Sequence, residues 1–240
     1  MEYAQLENIF NSIELEYWLL HTSAGRDILK KEREFFQKSV LNIFGQNSLQ
    51  LGLPNINLLH GNKIQTHHIL NLDLECNLNF LPFADNSIDL IICPHALEYY
   101  NNYEHILKEI YRIITPHGKL ILTSFNRCSW INLYKNSFKQ LRNYNFIKLP
   151  ALKSKLIEVG FQITGGKFFG YCPPFEKASK FVKYNWLNKV GDRWFPTYAN
   201  SFGLVLRKDC VSPTIIKPRE LNSFKTLTTP IGATKIWNKN

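Results

Sequence analysis

The sequence of 240 residues predicts a doubly wound α/β domain around one mostly parallel sheet. Three observations carry that reading. From about residue 80 onward, short β-branched runs alternate with segments of helical spacing, a pattern that puts helices on both faces of one sheet. Within it, residues 88–124 read strand, helix, Pro-Gly turn, strand, a crossover whose strands pair in parallel with a right-handed connection. Finally, an apolar fraction of 45% and an aromatic fraction of 14% suffice for a sizeable core. The length suits one domain with an appendage.

Taken in order, Leu15, Trp18, Leu19 and Thr22 recur at helical spacing until Gly25 interrupts them. A second helix runs through Ile28, Leu29, Glu32, Phe35 and Phe36. Val40-Leu41-Asn42-Ile43-Phe44 is an apolar run of the buried-strand type. Residues 45–75 are the least legible: a weak helix near Ser48–Leu53, broken before Pro54, and a strand near Gln65–Leu72 are expected. Leu81-Pro82-Phe83-Ala84-Asp85-Asn86-Ser87 is a turn-rich lead-in to a strand over Ile88–Cys93. Asn101 or Asn102 caps a helix with Ile106, Leu107, Ile110, Ile113 and Ile114 on its apolar face. Thr115-Pro116-His117-Gly118 stops it, because Pro cannot continue a helix and Gly turns the chain.

A strand over Lys119–Ser124 follows, then a helix over Ala151–Val159 closed by Gly160, and a strand over Phe161–Thr164. A helix near Glu176–Lys189 and a last strand over Ser201–Lys208 complete the pattern. Periodicity fades beyond Asp209, and 212–240 reads as irregular. The expected organisation is an N-terminal helical segment over 1–36, an α/β domain over 37–208 and a basic tail over 209–240.

No apolar stretch approaches the ~18–20 residues that span a bilayer, and the first ten residues lack the basic head and apolar run of a secretory signal. A cytoplasmic protein with no membrane span is expected. Five cysteines, at 76, 93, 128, 172 and 210, include no metal-clip spacing, and an odd count argues against a disulfide framework. From Arg207 to the end, seven basic residues face two acids, half of the net charge of +10. Such a tail suits an anionic partner, nucleic acid included, although its charges alternate with Pro, Ser and Thr as in a solvated segment.

The stretch Leu81-Pro82-Phe83 through Asn86-Ser87-Ile88-Asp89-Leu90-Ile91 resembles the type 11 branch of class I S-adenosylmethionine-dependent methyltransferases. His95-Ala96-Leu97-Glu98 occupies the loop after the strand. The run from Ile106 through Glu109, Arg112, Pro116 and Gly118 to Leu120 is similar to "hLxEhxRhLxPGGxL". Phe125-Asn126-Arg127-Cys128-Ser129 and Gly160-Phe161 fit as well. The resemblance covers about residues 20–208 and is closest between 80 and 126. It implies a Rossmann-like sheet, S-adenosylmethionine as cofactor and in-line methyl transfer to a small or medium-sized acceptor of unknown identity.

The family writes its first cofactor loop as "VLEIGCGTG". The expected counterpart is Val40–Ser48, with Asn42 for the acid, Phe44 where the first glycine belongs and Gly45 displaced by one. Glycines serve there because the backbone must approach the ligand and take φ > 0. Asn77 stands where an acid would face the adenine amine, with Asp73 and Glu75 as the nearby carboxylates. The cofactor is then expected among Asn42, Phe44, Gly45, Asn77, Leu78, Pro94 and His95, at the carboxyl ends of the strands. The acceptor is expected from the side of Asn126 and Ser129. His95 is the candidate general base, against a plain crevice-lining role. His67 and His68, adjacent in a strand, face opposite sides and make no metal pair. Two further readings remain open: a fold retained for binding or scaffolding without catalysis, and an RNA-directed enzyme.

Overall fold

The computed structural model describes residues 2–70, 78–100, 102–175, 178–184 and 186–209. They belong to one compact unit, Met1–Cys210. Cys76, Asp73, Glu75, Asn77 and the tail beyond Asp209 lie outside the described residues.

Two helices open the chain, α1 (Glu2–His21) and α2 (Ser23–Val40). Thr22 separates them: its hydroxyl accepts from Gly25 N at 3.0 Å and caps α2. Strands β1 (Asn47–Gln50), β2 (Thr66–Ile69) and β3 (Ile88–Pro94) follow, then α3 (Glu104–Ile113) and β4 (Ile114–Phe125). The short α4 (Trp130–Leu133) and α5 (Leu149–Val159) lead to β5 (Phe161–Phe169), α6 (Ala178–Tyr184), α7 (Trp186–Trp194) and β6 (Ser201–Lys208).

The sheet order is β2-β1-β3-β4-β6-β5. Strands β1 to β4 pair in parallel, and β6 runs antiparallel between β4 and β5. This is the expected Rossmann-like, mostly parallel sheet. Alternation along the strands feeds two cores. Leu90, Ile92 and Ile121 face α1, α2 and the loop after β1. Ile91, Cys93, Leu120 and Leu122 face α3 and α5. Each fully buried aliphatic side chain contributes about 1.5–3 kcal/mol relative to exposure, so these two layers dominate the stability.

The first half corrects the sequence reading. The run Val40–Phe44 is no strand: Val40 ends α2, and Leu41 and Asn42 form a turn. The expected weak helix near Ser48–Leu53 is instead β1 and the loop after it. Val40 and Ile43 are buried as predicted, but against the helical layer, so apolarity was read correctly and conformation was not.

The Leu81-Pro82-Phe83 segment is fastened from α3. Arg112 donates to Leu81 O at 3.0 Å, Phe83 O at 2.9 Å and Asp85 at 2.7 Å, while Glu109 accepts from Leu81 N at 3.2 Å. The paired motifs around Leu81 and Glu109–Arg112 are therefore one device, a planar guanidinium holding a turn that has no ladder of its own. Replacing Arg112 by Ala is expected to lower stability by about 1–3 kcal/mol, because two backbone carbonyls lose their donor. Arg112→Lys should recover less than half of this. Urea unfolding midpoints measure both, and an Arg112→Ala midpoint equal to wild type would contradict this role.

Candidate functional site at the carboxyl edge of the sheet

Parallel strands aim their carboxyl ends at one edge, where ligands of such sheets bind. Here that edge is formed by Gln50 of β1, Pro94 of β3 and Phe125 of β4, with Ser201 opening the antiparallel β6 opposite Phe125.

Gln50 is fully buried and organises the loop that follows it. Its amide nitrogen lies 3.1, 3.0 and 2.8 Å from the carbonyls of Gly52, Leu53 and Ile56. Its amide oxygen accepts from Leu58 N at 3.0 Å. The loop thus curls around one carboxamide. Two consecutive residues take left-handed backbone, Gly52 at φ 92 and Leu53 at φ 48. The second is costly for a leucine and persists because the surroundings impose it. At Gly52 a Cβ would lie 2.6 Å from Pro94 O and 3.0 Å from Ala96 Cβ, so only glycine lets β1's end meet β3's end this closely. Asn55, further along the loop, is held from α1 by Glu16, which accepts from its N at 2.9 Å and its Nδ2 at 2.7 Å.

Beside this loop lies a buried ionic cluster. His95, at φ 52, has its Nδ1 2.9 Å from Glu98 and its Nε2 3.1 Å from both oxygens of Glu32. All three side chains are fully buried. Ser124 Oγ donates to Glu98 at 2.7 Å; Phe125 N donates to the same carboxylate, and Ser201 Oγ donates to Glu32. Burial alone would lower the imidazole's pKa, but the two carboxylates override it and push His95 up to about 10. His95 is therefore an imidazolium at neutral pH.

The expected site residues fall into three groups. Pro94 ends β3, His95 follows it, and Leu78 is buried in the core layer shared with α3 and α5. Asn42, Phe44 and Gly45 are not at this edge. They precede β1 and lie at its amino end, where Asp89 of β3 accepts from Gln46 N at 2.7 Å, and Phe44 is 68% exposed. The register error has a physical cause, since a helix end and a buried strand both read as short apolar runs. Asn77 lies outside the described residues.

His95 does not fit the general-base role in this arrangement, because both ring nitrogens are engaged and the ring is already charged. Asn126 and Ser129 stand at the end of β4 but are used structurally. Asn126 Nδ2 donates to Thr197 O at 2.7 Å and Ala199 O at 3.0 Å, and Ser129 Oγ donates to Asn126 O at 2.6 Å. Among the described residues no cluster of metal-ligating side chains occurs.

Gln50, Gly52 and Glu32 are what the sequence reading missed. Glu32 did carry a signal: it falls on the apolar stripe of α2 with Ile28, Leu29, Phe35 and Phe36, where a carboxylate needs a partner.

Residues 58–122 match the family described as a methyltransferase domain. The demethylmenaquinone methyltransferase of Geobacillus sp. (strain WCH70) is 26% identical over 127 residues, covering 53% of this chain and 46% of that protein. An uncharacterized protein of Methanocaldococcus jannaschii is 31% identical over 150 residues, covering 62% and 60%. The chain thus spans about half the length of these relatives. Among solved structures, a chain of the complex between the Haloferax volcanii Trm112 methyltransferase activator and the putative methyltransferase matches with a TM-score of 0.56 at 16% identity, over 82% of this chain and 98% of that one. A SAM-dependent methyltransferase from Archaeoglobus fulgidus matches with a TM-score of 0.56 at 12% identity, over 76% and 94%.

With β1 at Asn47–Gln50, Gln50 and Gly52 stand two apart at the strand's carboxyl end, the spacing of the acid and first glycine in "VLEIGCGTG". Restoring the acid, Gln50→Glu, would aim a carboxylate at three carbonyl oxygens and raise its pKa in the folded state. The variant is expected to lose about 2–4 kcal/mol at neutral pH, and the gap to wild type should shrink as pH falls toward the carboxyl's unfolded value of about 4.3. A pH series of urea midpoints measures this, and a gap independent of pH would contradict the assignment. In sheet topology the chain has the Rossmann-like fold of the solved methyltransferases it resembles, and over residues 58–122 its sequence matches the methyltransferase-domain family.

Proposed function

We propose that this chain is an S-adenosylmethionine-dependent methyltransferase acting on an acceptor whose identity is open. The observation that carries the reading is Gly52. It stands at the carboxyl end of β1, in left-handed conformation, with no side chain between it and the turn after β3. A nucleoside sulfonium needs such an approach to backbone. The groups that would hold it are the backbones of Gly52–Leu53 and Pro94–His95, which meet at this edge, with the cofactor lying over their junction. Leu78 supplies an apolar wall. When bound, the cofactor supplies an electrophilic methyl group.

The chain's own part is positional. Gln50 fixes the first loop, and Glu32 and Glu98 fix His95 and with it the β3 turn. Alignment of donor and acceptor is where most of the acceleration of such a displacement arises, up to ~7–11 kcal/mol. A cytoplasmic setting fits the free thiols of Cys93, Cys128 and Cys172.

A second reading, the fold kept for binding without turnover, is favoured by one observation. The Gln50 amide is spent inside its own loop, and Leu53 and Ile56 are buried in the core rather than facing a ligand. Titration calorimetry and thermal unfolding with S-adenosylmethionine and its demethylated product separate the two. Cofactor at 100 times its dissociation constant should add about 2.7 kcal/mol of stability. Gly52→Ala should abolish that gain, because its Cβ would overlap Pro94 O. No response of the wild-type chain to either compound at millimolar concentration would overturn the catalytic reading.

A further inference from the structure

Helix α7 carries an amphipathic face turned outward. Its inward side is fixed by Gly191, where a Cβ would lie 2.2 Å from the Tyr171 ring, and by Asn188, which accepts from Tyr171 N at 2.7 Å. On the other side Trp186, Val190 and Trp194 recur four residues apart and so form one row. Trp186 is 55% and Trp194 68% exposed. Phe195 and Tyr198 extend the aromatic surface past the helix end, and both are exposed. This reverses the usual arrangement, in which a surface helix turns its charges outward and its apolar stripe inward.

The charges do not vanish but border the row. Exposed Lys189 and Arg193 lie beside it on α7, with Lys183 on the preceding α6 and Asp192 as the acid of α7. Large rings able to sit at headgroup level, flanked by cations, match the interfacial layer of an anionic bilayer. The surface is a convex helix face with an aliphatic side chain between its tryptophans. That suits an interface of lipid better than a nucleic-acid strand, which stacks along a basic groove. Among the described residues no helix is long and apolar enough to cross a membrane, so contact would run along the surface. The face also has a fixed relation to the candidate site. Asn126 at the end of β4 holds Thr197 and Ala199, so the aromatic segment flanks the carboxyl edge of the sheet.

We propose that α7 and the Phe195–Tyr198 segment dock this protein on an anionic lipid surface. The docking does not depend on methyl transfer and is read without cofactor. The full chain is floated with vesicles of phosphatidylcholine, with and without phosphatidylglycerol. Capture by the anionic vesicles is expected, weakened by added salt and reduced about tenfold or more in Trp186→Ser/Trp194→Ser. Brominated lipid should quench tryptophan fluorescence of the wild-type chain, a readout independent of how the variant folds. No capture by anionic vesicles, or capture unchanged in the double variant, would overturn the proposal. So would retention on single-stranded RNA through these two tryptophans without vesicle binding.

Discussion

The carboxyl edge of this sheet depends on one buried interaction, the imidazolium of His95 between the carboxylates of Glu32 and Glu98. Taking such groups out of water costs several kcal/mol each, repaid only where the remaining lone pairs are also satisfied. Here they are: Ser124, Ser201 and Phe125 N donate to the two carboxylates. The cluster gathers the N-terminal layer through α2, the turn after β3, the end of β4 and the start of β6. It also holds His95 in a left-handed conformation that a bulky residue adopts only under constraint.

From that constraint the neighbouring geometry follows. With His95 fixed, Pro94 presents its carbonyl to Gly52, and the loop after β1 must close around Gln50. A carboxamide suits this position because it donates as well as accepts: three carbonyls of the loop turn toward its nitrogen and one N–H toward its oxygen. Glu16 adds a second tie, from α1 to Asn55. The two N-terminal helices therefore shape the candidate site and are more than an appendage in front of the sheet.

Much of this was legible before any coordinates. The β3–α3–β4 crossover, α5 with its Gly160 cap, and β6 came from periodicity and turn chemistry, because the strands are buried almost throughout and the helices turn one apolar stripe to them without interruption. The antiparallel setting of β6 was not in the pattern, since alternation does not encode strand direction. The first loop was misplaced for a definite reason: β1 is four residues long, too short for alternation to show, whereas Val40–Phe44 offered a longer apolar run. Glu32 functions through His95, 63 residues away, and no local pattern reports such a contact; Gln50 works on the backbone of its own loop, within eight residues, where no side-chain periodicity marks it.

The measurement that bears most directly on this account is the protonation of His95, followed by NMR of histidine-labelled protein with the His95→Gln variant for assignment. A folded-state pKa raised from about 6.5 to about 10 means the imidazolium's stabilisation is complete below about pH 6.5 and is lost as pH rises through about 10. The account predicts that the His95 ring signals keep their protonated positions through pH 8.5. Titration of that ring near pH 6.5 would contradict it.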